Sequence, residues 1–195
     1  MEHGLRMGYF PLRLLLHMPL FYLRYRMGFI SERDLRQEVA AIRGRTRDQL
    51  NRIAEAAIAY SVRHDLFNEA VTTVNRYQAE GRPTVIATSS LDFLVRPLAD
   101  RLGMSGVIAT ELEFVDGFAT GRACGVPCIG AEKRRRVLDF AQRNEVDPAD
   151  CGFYTDSVND IPVLNAIGMP VAVNPDFRLR RIAARRKWRV VRFGR

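Results

Sequence analysis

The hydrophobic positions of this chain follow two regimes. In the first part they recur at helical spacing. Leu50, Ile53, Ala54, Ala57 and Ile58 stand at i, i+3, i+4, i+7 and i+8, one apolar face of a helix. Thr46-x-x-Gln49 opens that helix as a capping box, in which the hydroxyl takes one orphan amide and the Gln side chain reaches back to another. Ser31-x-x-Asp34 is a weaker start signal of the same kind. A further helix is expected over Asn68–Glu80, with Ala70, Val71, Val74 and Tyr77 inward and Gly81 as its left-handed stop.

After Gly81 short apolar runs alternate with helical patterns. Thr84–Thr88 predicts a buried strand, and Ser89-x-x-Asp92 a cap for a helix burying Leu91, Leu94, Val95, Leu98 and Leu102 up to Gly103. Gly106–Thr110 predicts the next strand. Asp116-Gly117, inside Glu113–Gly121, is a hairpin signal. Helix is expected over Glu132–Arg143, strand over Gly152–Thr155, and helix over Val158–Ile167. Strand over Pro170–Val173, helix over Arg178–Arg185 and strand over Arg189–Arg192 complete the pattern. Such alternation argues an α/β fold, a parallel sheet wrapped by helices with right-handed connections.

Composition narrows the classes. At 47% hydrophobic and 27% charged, the chain can bury a core and has an ordinary polar surface. Three cysteines, Cys124, Cys128 and Cys151, make no disulfide framework and favour a reducing, cytoplasmic setting. Cys124-x3-Cys128 lacks the His or second Cys pair that a zinc site needs. Tyr9–Tyr25 is apolar, but Pro11, Arg13, His17 and Pro19 interrupt it. It falls short of the roughly 18 unbroken apolar residues of a span, so no transmembrane segment is expected. A buried helix is the reading taken; a membrane-surface helix flanked by Arg6, Arg13, Arg24 and Arg26 is the alternative. The net charge of +8 is concentrated: Arg178–Arg195 holds nine Lys and Arg residues and no acid, and Lys133–Arg136 is a second basic run. No recognition motif or aromatic interleaving accompanies either run, so no nucleic acid partner is expected and a solvated basic face near an anionic substrate is preferred.

Ligands of parallel sheets collect at the carboxyl ends of the strands. Thr88 and Asp156 each close a predicted strand, and Lys133 opens a helix after a loop. Asp156 and Asp160 are hard oxygen donors one helical turn apart, a pair that repels unless a cation lies between. The plain alternatives are a helix cap for Asp156 and a dipole-favourable first-turn acid for Asp160. Thr88, with the amides of Ser89 and Ser90, can face a phosphate oxygen, or can simply cap. Lys133 can neutralise an anion, and spacing alone does not select it over Arg134.

Val85-Ile86-Ala87-Thr88-Ser89-Ser90, Gly130-Ala131-Glu132-Lys133 and Tyr154-Thr155-Asp156-Ser157-Val158-Asn159-Asp160 resemble, in order, motifs II, III and IV of the haloacid dehalogenase (HAD) superfamily. The likeness is to the HAD-IB group that includes phosphoserine phosphatases, and it covers roughly 68–193. The resemblance implies a HAD-like Rossmannoid core over 68–195 and a helical C1-type cap over 1–67. It implies a cytoplasmic Mg²⁺-dependent phosphatase that hydrolyses a small phosphorylated metabolite through an aspartyl-phosphate. It further implies that Thr88, Ser89 and Asn159 bind phosphate or substrate and that Lys133 balances charge at the nucleophile. Asp156 would ligate Mg²⁺, and Asp160 would ligate it or orient a metal-bound water.

Motif I, the Asp-x-Asp-x-Thr strand end that carries the nucleophile, is absent from residues 1–195. In the resembled fold that strand is central, between those at Thr84–Thr88 and Gly152–Thr155. Its loss leaves two edges whose unpaired backbone groups cost on the order of 1–3 kcal/mol each. The expectation is therefore that residue 1 is an internal start, with the strand and motif I upstream. The alternatives are a pseudoenzyme that binds phosphate and Mg²⁺ without turnover, and a basic protein that binds nucleic acid or membrane. Nothing in the pattern sets an oligomeric state or selects one metabolite.

Overall fold

A computed structural model describes residues 32–64 and 66–194. The apolar Tyr9–Tyr25 segment and the Ser31 cap signal lie outside the described residues. Helix α1 spans Glu32–Ala40 and α2 spans Arg47–His64. The capping box forms as expected: the Thr46 amide donates to Gln49 Oε1 at 3.1 Å, and the Gln49 amide to Thr46 Oγ1 at 3.3 Å. Leu50, Ala54 and Ile58 are buried and Ile53 half-buried, whereas Ala57 turns to solvent, so the face is narrower than its apolar residues suggest. Helix α3 (Asn68–Ala79) ends before Gly81, which takes φ +71°. None of its residues is fully buried.

Strand β1 (Val85–Leu91) pairs in parallel with β2 (Gly106–Thr110), and helix α4 (Asp92–Arg101) connects them. Ser89 does not cap that helix. The register passes from Ala87 opposite Ile108 to Leu91 opposite Thr110, so the strand bulges at Thr88–Ser90 and the helix starts after Leu91. Bulges of this kind re-aim side chains beside functional sites. Strands β3 (Leu112–Val115) and β4 (Phe118–Ala123) form the predicted hairpin, with Asp116 and Gly117 both at positive φ as a primed turn requires.

Helix α5 spans Gly130–Arg143. Strand β5 (Gly152–Thr155) pairs in parallel with β6 (Met169–Val173), which pairs with β7 (Arg189–Val191). The helix expected over Val158–Ile167 is shorter: a 3-10 turn at Val158–Asp160 leads into α6 (Ile161–Leu164). The chain must then press against the turn before β5. A Cβ on Gly168 would lie 1.7 Å from the Ala149 carbonyl oxygen, so only glycine fits there. Helix α7 (Phe177–Arg186) is capped by Asp176, whose Oδ1 accepts from the Leu179 amide at 2.8 Å.

Two apolar clusters hold these parts. Val39 and Leu50 of α1 and α2 pack with Leu91, Leu112 and Ala119, so the first helices share a core with the hairpin. Val158, Leu164, Ala172, Leu179 and Ala183 form the second, under the β5–β7 sheet. The parallel strands do not make one sheet. β1–β2 and β5–β6–β7 are separate, and no described strand lies between β1 and β5. The two facing edges have not closed by pairing with each other. A slot of about 360 Å³ separates them, walled by Val85 and Ala87 of β1, Phe153 and Tyr154 of β5, Val74 of α3 and Phe140 of α5. That slot explains why α3 is only half-buried on the side the sequence marks as inward. No helix among the described residues is long and apolar enough to cross a membrane.

Candidate active site

All six residues singled out in the sequence, Thr88, Ser89, Lys133, Asp156, Asn159 and Asp160, line one polar cavity of about 170 Å³. It lies at the carboxyl ends of β1 and β5. Thr88 and Ser89 enter on the β1 bulge, Lys133 on the first turn of α5, and the others on the loop after β5.

Geometry selects Lys133 over Arg134, which is exposed. Lys133 is only 5% exposed, and its Nζ contacts Asp160 Oδ1 at 2.6 Å. A buried cation near a helix N-terminus opposes the helix dipole and sheds its hydration. Asp160, itself 4% exposed, offsets both costs. The other oxygen, Oδ2, accepts from Thr155 Oγ1 at 2.7 Å, and Thr155 Oγ1 accepts from the Ser157 amide at 3.1 Å. Both oxygens of Asp160 are thus turned to fixed donors, and Asp156 is the solvent-exposed acid of the cavity lining. Ser157, not Asp156, caps the turn that follows, its Oγ accepting from the Asn159 amide at 3.2 Å.

On the β1 side, Thr88 Oγ1 accepts from the Ser90 amide at 3.1 Å, which fixes the hydroxyl while leaving its proton for an anion. Behind the bulge Thr110 is 1% exposed. Its hydroxyl donates to the Ser89 carbonyl at 3.1 Å and accepts from the Cys128 amide at 3.0 Å. One buried hydroxyl therefore ties the bulge to the loop leading into α5. Burial pushes the Cys128 thiol up, against the pull of Lys133 and Arg136, so it stays a neutral thiol. Arg136 clamps the start of α5, donating to the Ala109 and Val126 carbonyls at 2.7 Å each. Hydrogen bonds from Arg135, and then from Arg136, pull Glu132 down to about 2.

Sequence reasoning missed Thr155 and Thr110. Thr155 had a legible sign, a hydroxyl closing the strand just before Asp156. Thr110 had none, because its role depends on the contact of β2 with the bulge. Tyr154 lines both the polar cavity and the slot, and its hydroxyl meets that of Tyr77 at 2.9 Å. Burial, reinforced by that hydrogen bond, raises its pKa.

As a cation site this donor set is partial. Among the described residues no group of three acidic, His or Cys side chains is placed to hold a metal. Asp156 suits Mg²⁺, which is commonly held by one or two carboxylates together with substrate phosphate and water.

Fold and site together define the class: a parallel α/β protein with a polar cavity at its strand ends that gathers one lysine, two aspartates and several hydroxyls. The chain belongs to the haloacid dehalogenase-like hydrolase family, whose match covers residues 1–165. It is 32% identical over 155 residues to phosphoserine phosphatase SerB1 of Mycobacterium tuberculosis, covering 80% of this chain and 50% of the relative. It is 35% identical over 124 residues to histidinol-phosphatase of Neisseria meningitidis, covering 62% of this chain and 56% of the relative. Among solved structures, a protein of unknown function from Bordetella pertussis superposes with a TM-score of 0.81 at 30% identity, over 95% of this chain and 85% of that one. A probable phosphoserine phosphatase from Vibrio cholerae shares the fold at 23% identity and a TM-score of 0.67, over 89% of this chain and 50% of that one. The chain spans about half the length of the curated relatives it matches.

Proposed function

We propose that this chain is the phosphate-handling core of a HAD-IB phosphomonoesterase acting on a small phosphorylated metabolite. The observation that supports it most is the buried Lys133–Asp160 pair, held at 2.6 Å within the cavity that Thr88 and Ser89 share. A buried ion pair is a poor stabiliser, so its presence at a strand-end cavity favours a chemical role. In this reading the Thr88 hydroxyl and the Ser89 amide hold phosphoryl oxygens, Lys133 offsets their charge, Asn159 orients the substrate, and the helices over 32–64 belong to a cap above the mouth. Asp156 would hold Mg²⁺, which when bound supplies Lewis-acid neutralisation of the phosphoryl oxygens. The nucleophile comes on a strand carrying Asp-x-Asp-x-Thr, from outside residues 1–195, seated in the slot between β1 and β5. Its carboxylate attacks phosphorus as the P–O bond to the leaving alcohol breaks and the alcohol takes a proton. Water then cleaves the acyl phosphate, releasing orthophosphate and restoring the carboxylate.

The test is phosphate release from a panel of phosphomonoesters in Mg²⁺. The chain is assayed alone, with an added Asp-x-Asp-x-Thr strand peptide, and as an extended protein carrying that strand at its N-terminus. Activity is expected only with the strand. An extended, folded protein that stays inert across the panel but still binds orthophosphate would move the assignment to the non-catalytic phosphate-binding relative.

A further inference from the structure

The charge of this molecule is segregated. Of its 30 Lys and Arg residues nine lie in 177–195, a stretch holding none of its 22 acids, so the rest of the molecule is close to neutral. The structure shows how that stretch is displayed. Helix α7 buries Leu179 and Ala183 at 0% exposure against β6 and turns Phe177, Arg180, Arg181, Ala184 and Arg185 outward. Phe177, Arg181 and Ala184 follow one another at i, i+4 and i+7 along the centre of that face. Phe177 is 79% exposed, the most exposed large apolar side chain among the described residues. Arg186 is otherwise engaged, bonded to Asn165 Oδ1 at 2.7 Å and lying over Trp188. No ion pair among the described residues involves Arg180, Arg181, Arg185 or Lys187. Strand β7 continues the surface with Arg189 and Val190 exposed.

Protection of a sheet edge accounts for charges on β7 but not for a bare phenylalanine on the neighbouring helix. A polynucleotide groove would be expected to offer a row of stacking rings; this face has one ring, at the start of the helix, amid arginines. An apolar ring among cations on one helix face is the composition of a helix that lies on a negatively charged bilayer, the ring entering the headgroup layer and the guanidinium groups meeting lipid phosphates. We propose that the outward face of α7, led by Phe177, docks this protein on an anionic phospholipid surface. Docking needs no nucleophile, so this proposal and the phosphatase reading stand or fall separately.

The experiment is co-sedimentation of the full chain with vesicles of phosphatidylcholine alone and of phosphatidylcholine mixed with phosphatidylglycerol, with RNA binding measured in the same buffer. Binding is expected to the mixed vesicles only, weakening steeply as salt rises. Each cation near such a surface contributes about fivefold, so the triple variant Arg180→Gln, Arg181→Gln, Arg185→Gln should bind about 100-fold more weakly. All three side chains are exposed, and an unchanged melting temperature checks the fold. Phe177→Trp keeps every charge, and its fluorescence should shift to the blue when mixed vesicles are added. The proposal is overturned by equal binding to neutral vesicles, by a triple variant that binds as well as the parent, or by RNA binding stronger than vesicle binding.

Discussion

The polar cavity and the slot beneath it are bounded by the same strands, β1 and β5, yet they are built on opposite terms. In and just behind the cavity the buried polar groups have fixed partners: Lys133 with Asp160, Asp160 with Thr155, Thr155 with Ser157, Thr110 with Ser89 and Cys128. In the slot, apolar side chains from α3 and α5 face one another across about 360 Å³, and each flanking strand presents an edge with no strand partner among the described residues. The difference shows that the site does not depend on a continuous sheet. It is held from the α5 side: Lys133 on its first turn reaches the β5 loop, and Cys128 in the loop before it is tied to the bulge through Thr110, so the site can stand ready while the layer below is open.

The sharpest way to break that comparison is to remove one member of the buried pair. Lys133→Met strands the Asp160 carboxylate with only Thr155 beside it, and should cost about 3–5 kcal/mol of unfolding free energy in urea titrations. A loss below about 1 kcal/mol would mean that water reaches Asp160 and that the pair is not buried in solution. Next in size is a paired test of packing. Leu164 is 1% exposed under the β5–β7 sheet, and Leu164→Ala should cost about 2–5 kcal/mol. Val74 faces the slot and is half-buried, so Val74→Ala should cost about 1 kcal/mol or less, because little cavity is added where one exists. Equal losses at the two positions would show that the slot is packed in solution. Thr110→Val keeps the shape and leaves the Cys128 amide without its acceptor, for an expected cost of about 1–3 kcal/mol. It should also loosen the bulge and weaken orthophosphate binding, read by isothermal titration.

Much of this was legible in the sequence where a local rule sufficed. The capping box at Thr46, the Asp116-Gly117 turn, the order of strands and helices from β1 to β7, and the gathering of Thr88, Ser89, Lys133, Asp156, Asn159 and Asp160 all follow from spacing or from motif resemblance. The misses are tertiary. Ser89 looks like a cap because Asp92 follows at the right distance, but pairing with β2 draws the strand on to Leu91. The helix predicted up to Ile167 stops at Leu164, and Gly168 then packs against the turn before β5, its amide donating to the Pro148 carbonyl at 3.0 Å. For Asp160 the spacing shows an acid one helical turn beyond Asp156, and the position of α5 adds that its oxygens face Lys133 and Thr155.

The smallest effect lies at the outer edge of α5, where Glu132 holds Arg135 and Arg136 and so helps to clamp the turn that carries Lys133. Its carboxyl sits at about 2 in the folded protein, against an ordinary value of 4.5. A depressed folded value means that the contribution is complete above about pH 4.5 and fades as pH falls toward 2. Arg135 is well exposed and solvent screens its charge, so the gain is held to about 0.5–1 kcal/mol. Glu132→Gln should therefore be less stable than the parent by that amount at pH 6, and the two should converge as pH approaches 2. A difference that stayed constant across that window would place the contribution in packing rather than charge. The cavity would then owe its clamp to the Arg136 contacts with the Ala109 and Val126 carbonyls alone.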